Sequence, residues 1–154
     1  MIQWLGMAAY RLCIKGKQKN FIVYIDPSLN NPMMPASLRR EFEEQVVPSD
    51  ANVILITHSN YQQLASALPL ALASEKQDCC IICVPEIAAQ LRETHMINAS
   101  KLLVINPGGS VDLGIMRITM VHANHVVDQQ TDATMMRTIN SIHKKRTTSG
   151  AFSG

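Results

Sequence analysis

Three short apolar runs open the chain: Ile2 to Leu5, Tyr10 to Ile14 and Phe21 to Ile25, each rich in β-branched or aromatic residues. Gly6 breaks the first from the second, and the polar stretch Lys15-Gly16-Lys17-Gln18-Lys19-Asn20 breaks the second from the third. This spacing predicts an antiparallel β-meander, since such runs suit a pleated surface and the polar and glycine breaks suit turns. Asp26-Pro27 ends the third strand, and Asn30-Asn31-Pro32 with Pro35 predicts a loop. Ser37 reads as the N-cap of a short surface helix over Arg39 to Glu44.

From Asn52 onward the pattern alternates strand and helix. Asn52 to Ile56 is uncharged and β-branched, as a central strand requires, and Thr57-His58 follows it directly. Tyr61, Leu64, Ala65, Leu68 and Leu72 recur at helical spacing, with Pro69 as a break. Cys79 to Val84 predicts a buried strand, and Pro85 opens a helix carrying Ile87, Ala88, Leu91 and His95 along one side. Leu102 to Ile105 is a further strand, Asn106-Pro107-Gly108-Gly109-Ser110 a turn, and Met116 to Val121 a strand with one solvated face. Thr131 or Asp132 caps a helix through Ile142, and a Ser- and Gly-containing tail follows Lys144-Lys145-Arg146.

Composition narrows the classes. The 154 residues, 47% hydrophobic and 17% charged, suit one domain with a real core. The 14 Lys and Arg against 12 Asp and Glu leave a net charge of +2, too little to select a polyanion. With few aromatics beside Lys144 to Arg146, nucleic acid is not an expected partner. Val53 to Ile56 and Leu68 to Ala73 fall far short of the ~20 apolar residues of a membrane span. The opening Met1-Ile2-Gln3-Trp4-Leu5-Gly6 has no basic n-region, so a cytoplasmic location is expected.

Cys80-Ile81-Ile82-Cys83 has the C-x-x-C spacing of redox and zinc sites. On a strand, however, side chains three apart point to opposite faces. With Cys13 and Cys79, these residues therefore read as structural thiols.

The segments Trp4-Leu5-Gly6-Met7-Ala8-Ala9-Tyr10, Ile25-Asp26-Pro27, Ile54-Leu55-Ile56-Thr57-His58, Asn106-Pro107-Gly108-Gly109-Ser110 and Ala123-Asn124-His125 occur in one order. Together they resemble the amino-terminal half of the metallo-β-lactamase fold, in particular the small metal-dependent hydrolases that include L-ascorbate-6-phosphate lactonase. The resemblance spans about Ile2 to Val127. It implies an α/β fold, one half of an αββα sandwich with a mixed sheet and flanking helices over residues 1–127, followed by a divergent, partly disordered helical tail over 128–154. It also implies a truncated member of the family.

Members carry H-x-H-x-D-H after the strand that here ends at Thr57, because two adjacent divalent metals need imidazole and carboxylate ligands on one tight loop. This chain reads His58-Ser59-Asn60-Tyr61-Gln62-Gln63. His58 matches the first histidine, whereas Asn60, Gln62 and Gln63 stand at the positions of the second histidine, the aspartate and the last histidine. A further family histidine is matched by His125, with His122 close by as a weaker candidate. Met7 stands where the family's G-H-A/S segment has histidine, and no Gly-Asp pair supplies a later ligand. Neutral amide oxygens are poor zinc ligands and do not offset its charge.

The expectation is thus a protein without catalytic residues, with His58 and His125 as remnant ligands for zinc or manganese if any site remains. Asp26 is expected to cap the loop after it, Asp128 to have no role, and the Gly108-Gly109 turn to be structural rather than an anion nest. Two alternatives stand beside the scaffold reading. One is a residual metal-dependent hydrolase of a phosphorylated sugar lactone or similar ester, and the other is an anion or nucleic-acid binder using the basic tail. Half a sandwich also predicts a homodimer through an exposed inner sheet face carrying Ile54, Ile56 and Val104.

Overall fold

The computed structural model describes residues 1–29, 36–37, 49–59, 64, 66–67, 70–72, 79–95 and 97–122. The expected tail helix, His125, Asp128 and the positions Asn60, Gln62 and Gln63 lie outside them, as does the basic triplet Lys144 to Arg146. Among the described residues no helix is long and apolar enough to cross a membrane.

Strands β1 (Ile2–Gly6), β2 (Ala9–Ile14) and β3 (Phe21–Ile25) form the expected antiparallel meander. The register pairs Trp4 with Tyr10 and Tyr10 with Ile25, and an irregularity falls between Trp4 and Gly6. Strands β4 (Val53–Leu55), β5 (Cys80–Cys83) and β6 (Leu102–Val104) then add in parallel beside β3, giving one mixed sheet in the order β1 to β6. This is the α/β class expected, because each parallel step needs a crossover and the chain supplies helical residues between the strands. Helix α1 (Pro85–His95) makes one crossover, opened by a proline whose missing N–H costs nothing there. Leu64, Ser66, Ala67, Leu70, Ala71 and Leu72 are helical residues of another. A single 3-10 turn, Ala99–Lys101, capped by the Asn98 side chain, leads into β6.

Period-two alternation sends successive strand residues to opposite faces. Leu5, Ile22, Tyr24, Ile54, Ile81 and Cys83 pack on one face against Leu64, Leu70, Ile87 and Leu91 of the helical layer. Val23, Val53 and Ile82 are buried on the other, where Val111, Leu113, Met116 and Ile118 pack against them. Those four residues come from β7 (Ser110–Asp112), β8 (Arg117–Thr119) and the turn between them, an antiparallel hairpin. The patterning predicts β8 but not β7. Ser110-Val111-Asp112 has only one apolar residue, and its alternation becomes legible only once it is paired with Arg117-Ile118-Thr119.

Two expectations are corrected here. Ile54 and Ile56 do not lie on an open inner face: they are fully buried against the helical layer, and only Val104 of the three is exposed. An uncharged strand such as β4 carries no sequence signal that helices cover this face. Ser37 is itself helical, as is Ala36 before it, so Ser37 is not an N-cap.

At the amino end of β4, Asp50 joins three elements. Its carboxylate accepts from the Arg11 guanidinium and, at 3.0 Å, from the Tyr24 hydroxyl, while the Arg11 guanidinium lies 6.0 Å from the centre of the Tyr24 ring. Two residues on, Asn52 Oδ1 accepts the Ile22 N–H at 2.8 Å. These bonds fix the start of β4 beside β3, and so determine what its other end meets.

Candidate functional site

Parallel strands β3 to β6 all end at one sheet edge, where open α/β sheets place ligands. Asp26 follows β3 there, with a positive φ of 44°, a conformation that Asp tolerates better than most residues. Its N–H donates to Leu55 O of the neighbouring strand at 2.9 Å, which holds the backbone in place. The carboxylate is thereby turned toward the residues after β4. Asp26 Oδ1 accepts the Thr57 N–H at 2.8 Å, and Oδ2 accepts the Thr57 hydroxyl proton at 2.6 Å. Thr57 Oγ1 in turn lies 2.8 Å from His58 Nδ1. The direct distance from His58 Nδ1 to Asp26 Oδ2 is 3.7 Å, too long for a hydrogen bond.

The structure therefore joins Asp26, Thr57 and His58 in one chain of contacts. Asp26 does more than cap its own loop: it is buried, and it ties the carboxyl ends of β3 and β4 together. Sequence reasoning did not assign Thr57 a part. The available signal was the coincidence of Asp26 and Thr57 just beyond two strands that become parallel neighbours.

His122 is not brought into this cluster. Met120 exchanges backbone hydrogen bonds with Gly108 and Gly109 at 2.7 and 2.9 Å, which places the chain after β8 beside the turn that follows β6. His122 is exposed there, whereas His58 follows β4, two strands away in sheet order. The Gly109 N–H also donates to Asn106 O at 2.8 Å, so both glycine amides serve backbone carbonyls. Gly108 has a φ of 84°, the left-handed region this turn requires of a glycine.

None of the four cysteines forms a disulfide. Cys80 and Cys83 face opposite sides of the sheet, as the strand period demands. Burial pushes the Cys83 thiol up to about 11, and burial, with Cys79 nearby, raises that of Cys80. Raised values oppose the thiolate that redox or metal chemistry needs.

A metal implied by the family is tested by its donors. Among the described residues no group of three or more His, Cys, Asp or Glu comes together to hold a metal ion. Asp26 and His58 are the two possible donors described at this edge, one short of such a group. The described residues do not fit a metal centre by themselves.

No family model matches the chain. The mixed sheet, with a histidine at its carboxyl edge, nonetheless has curated relatives, and they place it among metallo-β-lactamase-like hydrolases. More narrowly, the chain is a homologue of the UPF0173 metal-dependent hydrolases over 80% of its length. It is 34% identical over 125 residues to one from Koribacter versatilis, covering 47% of that protein, and 26% identical to one from Saccharolobus solfataricus, covering 50% of it. The chain thus spans about half the length of the curated relatives it matches. Among solved structures, a fragment of the putative diflavin flavoprotein A 5 from Nostoc sp. PCC 7120 is 14% identical, with a TM-score of 0.44 over 73% of this chain and 53% of that one.

Proposed function

We propose that this chain is a metallo-β-lactamase-like protein that does not carry out two-metal hydrolysis and acts as a scaffold or interaction module. The observation that carries this reading is the donor chemistry of the loop after β4. Where the family pattern calls for two further histidines and an aspartate, the chain has Asn60, Gln62 and Gln63. Three neutral amides in place of two imidazoles and a carboxylate remove most of the affinity for a borderline metal and all of the charge compensation. His58 and His125 alone supply two nitrogen donors and no bridging carboxylate.

A second reading is favoured by the names of the homologues and by the ordered setting of His58: a metal-dependent hydrolase working with a reduced ligand set, on a phosphorylated sugar lactone or similar ester. Metal analysis separates the two. Protein purified without chelators and dialysed should hold well under one equivalent of zinc or manganese. One or more equivalents, lost in the His58→Ala/His125→Ala double variant, would overturn the scaffold reading and establish the second.

A further inference from the structure

We infer that Thr57, oriented by Asp26, fixes the tautomer of His58, holding the ring proton on Nδ1 and making Nε2 the nitrogen with the lone pair. The inference rests on reading His58 as the retained site histidine, and it assigns Thr57 and Asp26 as positioning residues.

A threonine hydroxyl has one proton to donate. Thr57 gives it to Asp26 Oδ2 at 2.6 Å, the short distance of a hydrogen bond to a charged acceptor. The direction cannot reverse, because an ionised carboxylate only accepts. The carboxylate cannot swing away either: its other oxygen holds the Thr57 N–H, and the Asp26 backbone is bound to Leu55 O. At 2.8 Å from His58 Nδ1, then, the Thr57 oxygen can act only as an acceptor, and Nδ1 must be the donor. Asp26, at 3.7 Å, is too far to receive that proton itself, so its influence reaches the ring through the hydroxyl.

A free neutral imidazole prefers its proton on Nε2. This arrangement reverses the preference and presents Nε2 as an acceptor of a proton or a hydrogen bond. The function of the relay is thus to choose which ring nitrogen does the chemistry of the site, whatever that chemistry is.

Long-range proton–nitrogen NMR correlations on the full-length, nitrogen-15-labelled chain test this, at about pH 8, above the ordinary imidazole range. A His58→Gln variant identifies the His58 signals among the five histidines. In the wild type, Nδ1 of His58 should carry the proton, and Thr57→Ser should keep it there. Asp26→Asn should move it to Nε2, because an amide NH₂ facing Thr57 Oγ1 frees the hydroxyl to donate to Nδ1. Thr57→Val should also lose the Nδ1–H form; if that variant does not fold, the wild-type and Asp26→Asn spectra still decide. A wild-type Nε2–H tautomer, or a proton that stays on Nδ1 in Asp26→Asn, would overturn the inference. Zinc content of the same samples decides the functional reading separately, so failure of one does not pass for failure of the other.

Discussion

Thr57 donates its amide proton and its hydroxyl proton to a single carboxylate, that of Asp26, at 2.8 and 2.6 Å. The two residues stand thirty-one positions apart, just past β3 and β4. Because Val23, Tyr24 and Ile25 pair in register with Val53, Ile54 and Leu55, the next residues of both strands arrive at the same edge together. The double contact is therefore a product of the parallel register, secured at the opposite end by Asp50 and Asn52.

Removing Asp26 should destabilise the protein more than its loop position suggests. Asp26→Ala removes the buried carboxylate that accepts from the Thr57 N–H and hydroxyl, and losing hydrogen bonds to a charged group costs about 1.5–3 kcal/mol. It also places alanine at positive φ, which adds about 1–2 kcal/mol. Asp26→Asn keeps one acceptor oxygen and tolerates that φ, so it should cost far less. Urea unfolding midpoints of the three proteins check the order, and equal midpoints for Asp26→Ala and wild type would contradict it.

The centre and the edge of the helix-covered face should respond differently to truncation. Ile54→Ala creates a cavity between the sheet and the helical layer, and should cost about 2–5 kcal/mol. Val104→Ala, on the edge strand and 47% exposed, should cost under about 1 kcal/mol. Chemical denaturation of both variants measures the contrast. Similar losses would mean that Ile54 does not lie under the helices.

Alkaline pH should weaken the fold in two stages. The folded-state value of Cys83 is raised by burial from 9.0 to about 11, so the native state keeps a proton that the unfolded chain has released. Its contribution is present below pH 9 and is lost as pH rises toward 11, with a slope of up to about 1.4 kcal/mol per pH unit. Tyr24 is raised from 10.0 by burial and by the neighbouring Asp50, so its contribution declines above pH 10. Stability measured against pH should fall through this window, less steeply from pH 9 to 11 in Cys83→Ala and less steeply above 10 in Tyr24→Phe. Unchanged slopes would show that neither group is held protonated by the fold.

Much of the fold was legible because its determinants are local. The meander, the strand after Asn52, the cysteine strand and the helix at Pro85 follow from runs, breaks and a proline within a few residues of one another. The face that each strand shows to the helices was not legible: β4 and β5 are apolar on both sides, so alternation is hidden. The site was half legible. His58 stands out beside the family motif, whereas Thr57 acquires its role only when Asp26 is brought beside it by pairing of β3 with β4, a contact between distant residues that no local pattern encodes.

The substituted loop offers the most direct test of why the chain departs from its relatives. If Asn60, Gln62 and Gln63 are the reason for weak metal binding, then Asn60→His, Gln62→Asp and Gln63→His introduced together should restore it, because they return two imidazoles and a charge-compensating carboxylate to the loop that begins at His58. The triple variant should retain at least one equivalent of zinc through dialysis, where the wild type retains well under one. Adding His58→Ala to it should abolish the gain, since His58 is the residue whose orientation the Asp26–Thr57 relay controls. Retained zinc that survives His58→Ala would locate the metal elsewhere. A triple variant that folds, as judged by circular dichroism, yet binds no zinc would show that the loop substitutions alone do not account for the loss.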